Sequence, residues 1–303
     1  MSGTRGIMVI TGATGLLGRA LCGVFARDGW HVRALCRDAG AKFNHPGVSV
    51  HACDLPERID AGAFAGARVV IHAAYSMRST SRAADEQVNL RGSRRVLELA
   101  REAGVHRFVF VSTTSAHPRA QGFYGQSKYM LEQELDPSRD LIVRPGLILD
   151  SKAGLFVRML KTVRSTGLAP MFGGGRQVIQ TVHIDDLTAA FARAIEMDLT
   201  GTLVVCEHRG LEMRDLFREM GRRLGRPVRI VPLPFAPVLL MLRAAEALGL
   251  RLPVSSENLL GLRSLERVDS RLSLERLGLQ VRDAGQSLND LLSTETKRDE
   301  ATR

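Results

Sequence analysis

The run TGATGLLG, Thr11 to Gly18, stands between an apolar run of strand length, Ile7 to Thr11, and an amphipathic stretch, Leu16 to Arg27. A strand that turns tightly into a helix leaves the first N–H groups of that helix without intrahelical partners. Glycines at positions 12, 15 and 18 let the main chain approach an anion closely, and the helix N-terminus favours negative charge there. The segment therefore predicts a βαβ start whose loop residues Gly12, Thr14, Gly15, Leu16, Leu17 and Gly18 cradle a pyrophosphate.

The alternation begun at that loop continues. Strand-length runs recur at Val48 to Ala52, Val69 to Ala73, Phe108 to Ser112 and Leu141 to Arg144, after a second strand at His31 to Cys36. Helical stretches such as Glu86 to Ala103 separate them. This pattern builds an α/β fold, a doubly wound parallel (Rossmann) sheet covered on both faces. Beyond Asp150 the alternation loosens, and prolines at 227, 232, 234, 237 and 253 interrupt a helix-rich region. We expect residues 1–150 to form the nucleotide-binding domain. Residues 151–292 should form a smaller helix-rich C-terminal substrate lobe, with elements returning to the core. The polar residues 293–303, STETKRDEATR, should be a disordered tail.

The end of the second strand bears on the choice of cofactor. An NAD-selective protein places a carboxylate there to accept hydrogen bonds from the adenosine ribose. This chain reads HVRALCRD, with Cys36 at that position, Arg37 next and Asp38 later. A guanidinium at 37 suits a 2′-phosphate, so NADP(H) is expected rather than NAD(H). Asp54, just past the third strand, either accepts from the adenine amino group or caps the following turn.

Composition excludes several classes. The formal net charge is +10, yet the cations are scattered and form no basic run, which argues against nucleic-acid binding. They would still steer a phosphorylated cofactor. Cys22, Cys36, Cys53 and Cys206 form no CxxC pair and sit in apolar elements. They read as buried free thiols, with no metal site, in a reducing cytoplasmic compartment. The N-terminus enters a strand at once, which leaves no room for a signal peptide. The most apolar stretch, Pro234 to Leu250, contains Arg243 and Glu246 and falls short of a membrane span.

Taken with TGATGLLG, the later motifs YGQSK (Tyr124 to Lys128), RPG (Arg144 to Gly146) and VHIDDL (Val182 to Leu187) are informative in their order. The chain resembles the extended short-chain dehydrogenase/reductase family, NAD-dependent epimerase/dehydratase-like Rossmann proteins. The resemblance runs from residue 7 to about residue 190 and weakens toward residue 290. It implies that Tyr124 and Lys128 carry the proton chemistry. Independently, residues four apart on a helix share a face, and an ammonium near a phenol lowers the phenol pKa from its usual value of about 10.

The resemblance further implies that Thr113 polarises the substrate carbonyl, with Ser112 and Thr114 as alternatives. It implies that Asn89 holds a water or braces its helix, and that Ala73, Ala74, Leu55, Lys128 and Pro145 stand against the cofactor. His72 reads as a packed strand end, and Asp185 and Asp186 as helix caps. Two departures matter. The segment between Thr113 and Tyr124 is short, and Leu147 follows RPG where nucleotide-sugar enzymes of the family carry an asparagine.

These readings converge on an NADP(H)-dependent oxidoreductase interconverting a carbonyl and an alcohol on a largely apolar small molecule. One alternative is a sugar-nucleotide epimerase or dehydratase that retains its NAD(P). Another is a non-catalytic NADPH-binding scaffold or sensor. The stretch Pro232 to Leu250 has the pattern of a helix with a wide apolar face, suited to lining a substrate pocket, packing the lobe or forming a homodimer seam.

Overall fold

The strand runs are rich in Val, Ile and Phe and show little alternation, as strands buried on both faces do. In the structure, a computed structural model that describes residues 5–76, 82–250, 252 and 254–301, they become the centre of a large sheet. The chain opens with β1 (Ile7–Thr11), α1 (Leu16–Arg27), β2 (His31–Cys36), β3 (Val48–Asp54), β4 (Arg58–Ile59) and β5 (Ala67–His72). Next come α2 (Arg82–Asp85), a π-helical turn at Glu86–Arg91, α3 (Gly92–Glu102), β6 (Arg107–Val111), α4 (Phe123–Glu132) and β7 (Leu141–Pro145). β8 (Leu147–Leu149), α5 (Leu155–Thr166), β9 (Leu168–Phe172), β10 (Val178–Ile179), β11 (Thr181–His183), α6 (Ile184–Glu196) and β12 (Gly201–Val205) follow. The C-terminal part holds β13 (Leu211–Glu212), α7 (Met213–Arg223), β14 (Arg229–Leu233), α8 (Phe235–Ala247), α9 (Ser256–Arg263), α10 (Arg271–Leu277) and α11 (Ala284–Ala301).

The main sheet has eight strands in the order β12-β7-β6-β5-β1-β2-β3-β4. The β1–β2, β2–β3, β1–β5, β5–β6 and β6–β7 pairs are parallel, and β4 is an antiparallel edge on β3. Strand order reverses between β1 and β5, and Thr11 pairs with His72 at their carboxyl ends. Open α/β sheets bind their ligands outside such a switch point.

The chain divides into two units. The first comprises residues 1–113, 127–144 and 188–203, and the second residues 114–126, 145–187 and 204–303. The chain thus passes between them several times, where the sequence suggested a passage near residue 150 and a later return. In the first unit, Met8, Val9 and Ile10 of β1 and Val70 and Ile71 of β5 are fully enclosed. Leu17, Leu21, Cys22 and Phe25 form the buried stripe of α1, and each large apolar side chain so enclosed contributes about 1.5–3 kcal/mol.

The second unit carries three two-stranded sheets, β8–β11, β9–β14 and β10–β13. Its core is assembled from helical stripes, among them Phe156, Leu160 and Val163 of α5 and Leu216 and Met220 of α7. Leu288 and Leu291 of α11 complete it. That helix runs on to Ala301, past the Ser293 at which the sequence suggests a tail, and residues 302–303 lie outside the described residues. The buried stripe of its first turns gives the polar extension a helical start to propagate from.

Candidate active site

In the first unit the loop between β1 and α1 closes tightly at the switch point. Gly12 has φ of +65°, and a Cβ there would lie 2.7 Å from the Cα of Ala74. At Gly18 a Cβ would overlap the Gly12 carbonyl oxygen. The loop can close this tightly against β5 only without those side chains. Gly15 is the N-cap of α1 and makes no side-chain cap. Thr14 and Gly15 are exposed, Leu16 is half-buried, and Leu17 and Gly18 are buried. A helix start that no side chain caps, at the carboxyl edge of a parallel sheet, fits a pyrophosphate.

Behind the cradle runs a buried polar chain that the sequence reading missed. The Ala74 amide donates to Thr11 Oγ1 at 3.2 Å, and Thr11 Oγ1 lies 2.7 Å from His72 Nδ1. His72 Nε2 lies 2.8 Å from Ser93 Oγ, which donates to the Asn89 carbonyl. Because the serine hydroxyl is the donor to Asn89, its oxygen accepts from His72, so the imidazole carries its proton on Nε2. The Thr11 hydroxyl then donates to Nδ1, and every bond in the chain runs one way. Burial, followed by the Lys128 charge, pushes the His72 pKa down to about 3, so the ring is neutral. It stacks near Phe108 and Phe110, with centroids 6.2 and 6.0 Å away. His72 thus locks the β1 and β5 ends that form the cradle. A polar residue closing an apolar strand beside small residues was its one sequence signal.

Arg37 is exposed just past β2. Asp38 accepts from the Gly40 amide at 2.8 Å, so its carboxylate is engaged by its own loop. Asp54 is exposed at the end of β3, and Leu55 packs on Gly92 where α3 begins. Ala73 and Ala74 are half-buried beside Gly12. Asn89 is buried in the π-turn, with Oδ1 accepting from Ser76 N at 2.7 Å and Nδ2 donating to Ser76 O at 3.0 Å. This two-point hold on the backbone after β5 is a brace. Ser112 and Thr113, past β6, are both buried.

Lys128 is enclosed in the first unit, and its Nζ donates to the Val111 carbonyl at 2.7 Å. The ammonium lies 4.5 Å from the Phe110 ring centroid and 5.1 Å from that of Tyr75. Burial pushes its pKa down to about 7, against the opposing pull of Glu132. Glu132, one turn further along α4, is itself buried and is held by Arg144, whose Nε donates to it at 2.8 Å. The arginine of RPG therefore ties β7 to the helix that carries the lysine.

In the second unit, Tyr124 is the second residue of α4 and is 36% exposed. The amide of Phe123, first in that helix, donates to Glu257 Oε2 of α9 at 2.6 Å. A carboxylate at a helix N-terminus answers both an unpaired donor and the helix dipole, and it fixes where Tyr124 begins the helix. Thr114 is half-buried and Pro145 buried, and the Thr114 amide donates to the Pro145 carbonyl at 3.1 Å. Leu147 packs against the core of this unit.

Asp185 and Asp186 stand in the first turn of α6. His183 Nδ1 accepts from the Asp185 amide at 3.2 Å, which caps α6, and Asp186 is gripped by Arg282 at 2.8 and 3.1 Å. A cavity of about 390 Å³ lies in this unit, lined by Phe172, Phe235, Ala236, Leu259, Leu262 and Arg263 among others. All four cysteines are buried and free. Among the described residues no helix is long and apolar enough to cross a membrane.

Comparison with known proteins agrees with the fold. Residues 8–140 match the NAD dependent epimerase/dehydratase family. The chain is 31% identical over 242 residues to a ceramide reductase of Caulobacter vibrioides, covering 76% of this chain and 74% of that protein. It is 26% identical over 252 residues to a 2-alkyl-3-oxoalkanoate reductase of Stenotrophomonas maltophilia, covering 73% of this chain and 76% of the relative. The crystal structure of gox2253 shares the fold, with a TM-score of 0.77 at 23% identity over 96% of this chain and 98% of that one.

Proposed function

This chain belongs to the NAD dependent epimerase/dehydratase family, and from that premise we propose that it is an NADP(H)-dependent reductase or dehydrogenase. It interconverts a carbonyl and an alcohol on a largely apolar small molecule. The observation that carries the reading is Lys128, a buried ammonium one helical turn after Tyr124, with its pKa brought down to about 7. A cation buried one helical turn from a phenol suits proton transfer to a carbonyl better than it suits simple nucleotide binding.

A bound nicotinamide would supply the hydride chemistry at the substrate carbon. Tyr124 donates the proton to the carbonyl oxygen in reduction and takes it back in oxidation. Lys128 keeps the phenol acidic enough for that exchange, and Glu132 favours the charged form of the lysine. The hydroxyl of Thr113, or the half-buried Thr114 beside it, holds the reacting oxygen. Gly12, Thr14, Gly15, Leu16, Leu17 and Gly18 bind the pyrophosphate, and Arg37 the 2′-phosphate. Asp54, Leu55, Ala73, Ala74 and Pro145 border the rest of the nucleotide, and Asn89 braces the π-turn.

Support for an apolar substrate comes from three sides. Relatives are named for ceramide and for 2-alkyl-3-oxoalkanoates, Leu147 cannot hydrogen-bond a diphosphate, and the second unit holds a cavity whose lining includes Phe172, Phe235, Leu259 and Leu262.

The test is a panel of aliphatic, aromatic and sterol-like ketones followed at the NADPH absorbance, with Tyr124→Phe beside the wild type. We expect turnover with release of oxidised cofactor, lost at least about a hundredfold in the variant while NADPH binding is kept. A near-normal rate in Tyr124→Phe would move the proton donor elsewhere. Saturable binding of nucleotide sugars with retained cofactor would favour the epimerase or dehydratase reading, which the family's own description supports.

A further inference from the structure

A helix that is apolar around most of its circumference is ordinarily buried. α8, FAPVLLMLRAAEA, encloses only Leu242 and Ala245. Leu240 is 71% exposed and Met241 56%, and beyond the helix Leu248 is 76% and Leu250 57% exposed, with Leu252 and Val254 also open. So many large apolar side chains within fifteen residues form a surface that water alone does not account for.

Charge and shape indicate what covers it. Arg243 is exposed on the same helix. The carboxylate of Glu246 is committed to Ser256, accepting from its amide and its hydroxyl at 2.7 Å each. Arg263 lies over the Phe235 ring at 4.7 Å. The patch therefore presents two cations, Arg243 and Arg263, against one carboxylate, Glu246, around hydrocarbon, on a chain of formal charge +10. That pairing complements an anionic lipid surface. At 13 residues α8 is too short to span a bilayer and suits the interfacial plane. Its first turn, Phe235 and Ala236, also lines the apolar cavity of about 390 Å³.

We propose that the outer face of α8, with Leu248, Leu250, Leu252 and Val254, rests on an anionic lipid bilayer, from which the hydrocarbon chain of a lipid-like substrate enters the cavity lined by the first turn of the helix. The inference rests on the apolar-substrate reading given above. It is tested with the full chain, without cofactor or turnover, by co-sedimentation with vesicles of phosphatidylcholine alone or mixed with phosphatidylglycerol, at low and high salt.

We expect the protein to pellet with the anionic vesicles, less so at high salt, and hardly at all with neutral ones. A Leu240→Glu/Leu248→Glu variant with an unchanged unfolding midpoint should bind at least about tenfold more weakly, since both side chains lose apolar contact and gain a repelled charge. Wild-type protein left in the supernatant, or a variant that pellets equally, would overturn the proposal. So would a wild-type dimer, seen by sedimentation velocity, that the double substitution splits. Ketone reduction with no vesicle binding would sink the docking alone, and vesicle binding with no reduction of any ketone would sink the catalytic reading alone.

Discussion

His72 and Arg37 illustrate opposite ways in which one side chain sets the chemistry of this fold. His72 is neutral because it is enclosed, and its two ring nitrogens bridge β1 and α3 through Thr11 and Ser93. In the unfolded chain it takes a proton near pH 6.5, whereas folded it resists until about 3. The unfolded state therefore binds more protons across that window, and stability falls as pH drops through it. Urea unfolding of the wild type and of His72→Gln between these limits should show a steeper loss in the wild type. Parallel curves would mean that the buried imidazole is not the titrating group. Arg37, by contrast, is exposed. If it binds the 2′-phosphate, Arg37→Ala should lower the affinity for NADPH relative to NADH by about 1.5–3 kcal/mol, roughly ten- to hundredfold. Equal affinities in the wild type, measured by fluorescence titration, would remove the assignment.

The two elements that matter most are the α1 entry and the turn before α3. The entry is tight because backbone meets backbone at Gly12, Gly18 and Ala74. Gly18→Ala has no flexible side chain to push aside, so it should cost about 1–3 kcal/mol of stability and weaken cofactor binding. Thermal unfolding and nucleotide titration of the variant check both, and a wild-type profile would show that the loop is looser than its geometry. The second element was legible only as helix. Glu86 to Ala103 has ordinary helical periodicity, yet residues 86–91 wind as a π-turn. Nothing in EQVNLR announces this, because a π-turn costs local energy that a distant partner must offset. Asn89 supplies that partner through both of its bonds to the Ser76 backbone.

At the scale of the molecule, a ligand that binds only the folded state raises its stability by mass action, about 2.7 kcal/mol at a hundred times Kd. NADPH should accordingly raise the unfolding midpoint more than NADH at equal concentration, measured by differential scanning fluorimetry. Equal shifts would contradict the cofactor preference. The sequence alone determined the doubly wound sheet, the glycine cradle and the one-turn spacing of Tyr124 and Lys128. Each is written in signals a few residues long: an apolar run, a loop between strand and helix, a helical repeat. Tertiary structure alone decided the one-way chain through His72, the Glu132–Arg144 pair, the interleaving of the two units and the helix reaching Ala301. It also decided that α8 stays exposed although its composition is that of a buried helix. Burial and hydrogen-bond partnership depend on residues far apart in the chain, so no local pattern could specify them.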